Sequence, residues 1–167
     1  MTDDHLLVEY LRRSYHAADG LWFVKVEEAT DFDQALAIDR RVWEILAKIQ
    51  ARKARELLRS QDSSIPELVR CFSLKLAADG FRFETEMSAN EARFFLLDCP
   101  WLALLRRAKR DHLAARLAEM MCLTEGEAWA REYGEEYRFS APKLICQGGG
   151  DRCEWAFARR EGHRPAG

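Results

Sequence analysis

Apolar residues fall at positions 6, 7, 11 and 15 and again at 32, 35, 36, 42, 43, 46 and 49. Spacings of three and four are the period of a helix with one buried face, so the chain from Asp3 to Arg59 reads as helical, with breaks at Asp19-Gly20 and Thr30-Asp31. A helix unbroken from 31 to 59 would be about 43 Å long at ~1.5 Å per residue. That length predicts a kink, or a projecting end used for self-association. Ser64-Ile65-Pro66-Glu67 has the form of a capping box, and Gly80 suits the far end of the helix it would start. Ile65 to Ala78 therefore reads as a helix, with a strand as the competing reading because Phe72, Leu74 and Leu76 alternate.

The period then changes to two. In FRFETEM, Phe81, Phe83, Thr85 and Met87 share one face and Arg82, Glu84 and Glu86 the other, the pattern of a half-buried strand. A turn at Ser88 to Asn90 leads to ARFFLLD, its antiparallel partner. Cys99-Pro100 opens a helical region running to about Met121, and Glu125 to Tyr133 forms a short helix after a loop at Leu123 to Gly126. Tyr137 to Cys146 and Cys153 to Arg159 complete the sheet. N-terminal helices packed on an antiparallel sheet of four or more strands make one α+β domain over 1–167, with 160–167 as a loose tail.

Composition narrows the function classes. The 167 residues, 48% hydrophobic, suit one core, and 26 basic against 28 acidic residues give a net charge of −2. Nucleic-acid recognition needs a clustered positive surface, which this balance does not supply. The start MTDDHLLVEYLRR lacks the basic region and apolar core of a secretory signal, and no run approaches the roughly 18 apolar residues of a membrane span. Five cysteines fit a reducing compartment in which thiols are free, catalytic or metal-bound. The expected setting is the cytoplasm, and the expected partner is a small molecule or a second copy of the chain, with no nucleic acid and no membrane.

Candidate chemistry centres on ICQGGGDRCEW, residues 145–155. The triple glycine lacks the GKS/T of a phosphate-binding loop, so the stretch reads as a hairpin whose base brings Cys146 and Cys153 together. Thiolates at neighbouring strand ends are good zinc ligands. Cys122, expected where a helix ends at a loop, is the preferred third ligand. Cys99 is its rival, but one straight helix over 100–121 would separate it from Cys122 by about 35 Å, and only a break near Lys109 to Asp111 would bring both into one site. Buried structural thiols are the competing reading.

CQGGGDRCEWAF together with Cys122 resembles the end of the 4-vinyl reductase-like domains. That resemblance implies an α+β fold, a pocket for small aromatic molecules, and a zinc held by Cys122, Cys146 and Cys153. One position departs: an acidic ligand three residues before the penultimate cysteine is Lys143 here. HAADGLWFVKVEE with VWEILAKIQARKARE resembles an uncharacterised prokaryotic family of cytosolic proteins. DCPWLALL with Cys122 and Cys153 is similar to the L-2-amino-thiazoline-4-carboxylic acid hydrolase-like group, which implies hydrolysis of a small carbon-nitrogen heterocycle by Cys99 or a metal-bound water.

Cys99 precedes Pro100 at an expected helix start, where amide dipoles favour a thiolate nucleophile, and His16 is its credible base. His16, Asp19 and Trp22 recur at threes along one helix face, as a ligand-orienting set or a helix junction. Trp22, Trp43, Phe83 and Trp155 are the aromatic residues available to line a cavity. Lys48, Arg52, Lys53 and Arg55 read as a solvated basic face.

Overall fold

Short polar side chains take up the free amides at three helix starts. In the computed structural model, which describes residues 3–148 and 150–160, Asp3 accepts from the His5 amide (3.0 Å) at the start of α1 (Asp4–Ala29). Asp31 accepts from Gln34 (2.8 Å) ahead of α2 (Phe32–Leu57). Ser64 accepts from Glu67 (3.4 Å) ahead of α3 (Ile65–Asp79), so the capping box is a helix start and the competing strand is excluded. At the other end Gly80 turns left-handed (φ +89), a conformation open to glycine at little cost.

The expected break at Asp19-Gly20 is absent, and α1 runs through it. One glycine inside a helix costs only about 1 kcal/mol relative to alanine, too little to interrupt a long helix packed against a neighbour. The chain breaks at Thr30, whose hydroxyl folds back onto the Val26 carbonyl.

The helical region after Cys99 is two helices. α4 (Pro100–Arg107) ends where Lys109 adopts φ 58 and the Arg110 amide reaches back to the Leu105 carbonyl at 2.8 Å. A single 3₁₀ turn at 111–113 leads into α5 (Ala114–Tyr133). The loop expected at Leu123 to Gly126 is instead continuous helix. Gly126 serves there as a close-approach point, since a Cβ would lie 2.3 Å from the Phe139 ring.

β1 (Phe83–Met87), β2 (Glu91–Leu96), β3 (Tyr137–Lys143) and β4 (Cys153–Arg159) form one antiparallel sheet in the order β1-β2-β4-β3. Registers include Phe83 with Leu96, Phe94 with Trp155 and Phe139 with Phe157. Thr85 and Met87 are exposed at this edge strand, so the apolar face read from alternation is only partly covered. Ile145–Gln147 is a 3₁₀ turn, so the third strand ends at Lys143, short of Cys146.

The packed core lies between α3, α5 and the sheet. The Phe72 ring meets Trp129 at 4.9 Å, Phe157 at 4.9 Å and Phe94 at 5.0 Å between centroids, edge to face in each case. Such geometry suits the quadrupoles of the rings. α1 and α2 pack on the helical side of this unit. Among the described residues no helix is long and apolar enough to cross a membrane. Of the expected loose tail, 161–167 lies outside the described residues.

Candidate functional site

A cavity of about 420 Å³ opens between α1, α2, α4, α5 and one end of the sheet. The break at Lys109 makes it. By folding α4 back against α1, it places Cys99 and Trp101 opposite His16 and beside Cys122 on α5. Trp101 is the hub of one wall, with His16 at 4.4 Å, Trp43 at 5.7 Å and Tyr15 at 6.0 Å between ring centroids. Phe81, Leu96 and Trp155 contribute from the sheet side, and Leu117, Ala118 and Met121 from α5. Ala17, Gly20 and Leu21 on α1 and Ala108 at the end of α4 line the cavity while remaining exposed, so the mouth lies between these two helices.

Polar groups interrupt this apolar wall on the α1–α2 side. His16 is only 7% exposed and Asp39 only 5%. His16 Nε2 and Asp39 Oδ1 have no hydrogen-bonding partner among the described residues. Asp19 lies one turn from His16 on the same face of α1. Burial pushes the Asp39 carboxyl up to about 7, and the neighbouring Asp19 charge adds to the shift. Asp19 is raised to about 6, chiefly by burial and further by Asp79, against the pull of the Trp43 indole N–H. Burial holds His16 below its ordinary value, which keeps the imidazole neutral at neutral pH.

Behind them, Lys75 is buried between Asp79 (3.1 Å) and Glu125, with its ammonium 5.6 Å from the Phe72 and Phe81 ring centres. Burial alone would lower its pKa, but the two carboxylates more than reverse that and keep the ammonium charged. Glu125 also lines the cavity, and its own carboxyl is raised by burial. Arg110 reaches the wall already committed to Glu27, with contacts of 2.6 and 2.7 Å to the two carboxylate oxygens.

Cys99, Cys122, Cys146 and Cys153 all line this one cavity, and all are free thiols. Cys122 is inside a helix rather than at a loop, and Cys146 is in the 3₁₀ turn. Among the described residues no three histidine, cysteine, aspartate or glutamate side chains are gathered to hold a metal ion, so the geometry adds no support to the zinc that the resemblance implies. The Cys153 sulfur instead accepts the Ile145 amide at 3.3 Å, and the Lys143 ammonium pairs with Glu154 at 3.8 Å. Cys99 does cap α4, accepting the Leu102 amide at 3.4 Å. Burial nevertheless outweighs that hydrogen bond and pushes its thiol up to about 12, which makes it a poor nucleophile at neutral pH.

Of the other expected site residues, His16, Trp43 and Trp155 line the cavity together with Cys99. Trp22 does not: it is 40% exposed, because its position in an unbroken α1 lies away from α4. Phe83 stacks on Phe94 at 6.3 Å at the sheet's edge rather than in the cavity. The basic run on α2 is tied to the end of α5, where Arg52 pairs with Glu132 (2.7 Å) and Arg55 donates to the Glu132 carbonyl (3.0 Å).

Sequence reasoning missed Asp39, Trp101, Lys75 and Arg110. A signal existed for Asp39: it falls on the buried stripe 35, 36, 39, 43, 47 of α2, where a charged residue is out of place.

No curated protein matches the chain. The sequence profile that does match spans residues 3–140, from the cap of α1 into β3, and so includes His16, Asp19, Asp39, Trp43, Trp101 and Glu125 but ends before Cys146 and Cys153. On that match, which covers most of its length, the chain belongs to the family of unknown function DUF6125.

Proposed function

We propose that the protein binds a small organic molecule in the cavity between its helices and its sheet, in the cytoplasm. The observation carrying this reading is the pairing of an apolar, aromatic-walled cavity with two buried polar atoms, His16 Nε2 and Asp39 Oδ1, that find no partner among the described residues. Its ~420 Å³ falls within the 300–1,000 Å³ typical of small-ligand sites. A few convergent polar groups in an apolar wall supply orientation, and the wall supplies affinity.

Calorimetric titration of the purified protein with indole-sized and phenyl-sized aromatic compounds tests it. Saturable one-to-one binding with a negative heat-capacity change is expected, and it should be lost in Gly20→Trp, whose indole closes the mouth. Absence of saturable binding across the whole set would overturn the reading.

A second reading, self-association through α2, is favoured by one specific observation. Ile38, Val42, Ile45 and Ile49 are exposed at spacings of four, three and four on the side of the helix away from the core. That spacing is the seam of a paired helix. Sedimentation velocity should show a concentration-dependent dimer that Ile45→Glu returns to monomer, and a monomer at all concentrations would exclude it.

A further inference from the structure

We propose, resting on the cavity-binding reading, that the ligand is a small cationic amine: its ammonium sits among Asp19, Asp39 and His16, and its apolar body lies against Trp43 and Trp101.

The argument starts from the donor-acceptor balance of the polar corner. On the α1–α2 side of the wall, Asp39 Oδ1 and neutral His16 Nε2 are buried atoms without hydrogen-bonding partners among the described residues, while the unpartnered indole N–H of Trp155 belongs to the sheet side. Ionised, as at pH 8, the carboxylates are acceptors only, and a neutral imidazole nitrogen can accept as well. What this corner lacks is therefore a donor. A primary ammonium carries three N–H donors and no acceptor, one each for Asp19, Asp39 and His16. A neutral aromatic would leave these two acceptors desolvated and unpaired.

Charge points the same way. Asp19, Asp39, Asp79 and Glu125 are in or directly behind the wall, and Lys75 serves only the last two. Arg110, the other cation at the cavity, is held by Glu27. Among the described residues no basic group offsets either Asp19 or Asp39; the Asp19 charge instead raises the Asp39 carboxyl, and Asp79 raises that of Asp19. An anionic ligand would add a third negative charge to this corner, whereas an ammonium supplies the missing counter-ion. The indole faces of Trp43 and Trp101, set at 86° with centroids 5.7 Å apart, offer the π surfaces that aromatic amines and cations favour.

The test uses matched pairs in which a methyl group replaces the amine: tryptamine against 3-propylindole, and 2-phenylethylamine against propylbenzene, with indole-3-propionate as the anionic counterpart. Each is titrated calorimetrically at pH 8 into wild-type protein, Asp39→Asn and Asp19→Asn, with thermal melts confirming that the variants fold. Each amine should bind at least about tenfold more tightly than its hydrocarbon, the worth of one charge-assisted hydrogen bond. Indole-3-propionate should bind weakest, and both variants should narrow the gap within each pair. Hydrocarbons that bind as tightly as their amines would overturn the amine assignment and leave the cavity reading standing. If no compound in the set binds, both fall. Should the amine preference persist unchanged in both variants, it does not arise from this corner and the proposal is wrong.

Discussion

Two glycines sit inside helices, Gly20 in α1 and Gly126 in α5, and they divide the molecule. At Gly126 a Cβ would meet the Phe139 ring at 2.3 Å, whereas at Gly20 it would meet nothing within 4 Å. The half containing Gly126 is filled by Phe72, Phe94, Trp129 and Phe157, all fully buried. The half containing Gly20 is just as rich in large side chains, yet they stand back around a cavity and leave polar atoms facing it. A chain with this much apolar material has the means to close such a space. It closes one half and not the other: α3, α5 and the sheet hold the packed core, and α1, α2 and α4 close a cavity against it.

The contrast is sharpest where the core is densest. Phe72→Ala should destabilise the protein by about 3–5 kcal/mol, the usual result of removing a large side chain from a site that cannot collapse, read as a lower urea midpoint at unchanged slope. Trp101→Ala, at a half-buried position on the cavity wall, should cost clearly less. Equal losses would mean that the cavity wall is as essential to folding as the core.

Gly126→Ala probes the same boundary by adding an atom. The gain in helix propensity is about 1 kcal/mol, but the Phe139 ring has to move, and overpacking of this kind typically costs about 1–3 kcal/mol. A net loss of up to about 2 kcal/mol is expected in the same measurement. A more stable variant would show that α5 and β3 are not in close contact at this point.

Electrostatics offers a third way to test the division. Asp39 has its folded-state pKa raised to about 7 and Asp19 to about 6, against roughly 4 in an unfolded chain. Between about pH 4 and 7 the folded protein therefore binds more protons than the unfolded one, and stability falls as pH rises through that window. His16 acts in the opposite sense: its folded-state pKa is lowered, so its contribution is lost on acidification below its ordinary value near 6.5. Glu125, Asp79 and Lys75 face the same region from α5 and α3, and Cys99 from α4. The clean quantity is the difference between Asp39→Asn and wild type. Asp39→Asn should be more stable at pH 8, by up to about 4 kcal/mol, with the difference shrinking towards pH 4. A difference independent of pH would show that Asp39 is not a buried acid, and the binding corner would lose its main member.

The packed half was the legible half. Ser64 to Gly80 announced α3 through its cap and its closing glycine, and the alternation of Phe81 to Met87 with the hairpin at Cys153 gave the sheet, because these signals are local. The cavity half depends on one event with no such signal: a lysine, not a glycine, takes the left-handed position at 109, and the sequence there still reads as helix. Without that break Cys99 and Trp101 have no route to His16. Glycine misled twice, since Gly20 and Gly126 read as breaks but lie inside helices, the first because little depends on it locally and the second because Phe139 requires it. His16, Trp43, Trp155 and the cysteines were legible as candidates by residue type, while Asp39 needed its helical phase to be set against its charge.

The smallest expected effect separates the two halves by sign. Gly20→Ala has open space for its methyl group, keeps φ in the helical range and should therefore stabilise the protein by about 0.5–1 kcal/mol through the lost backbone freedom of glycine in the unfolded chain. The thermal midpoint should rise by a few degrees, while affinity for any cavity ligand stays close to wild type because one methyl at the mouth does not block it. Set beside Gly126→Ala, the same one-carbon change in the same kind of element then gives opposite outcomes. If Gly20→Ala also destabilises, the space beside it is closed in solution, and α1 and α4 meet more tightly than a ligand entrance between them allows.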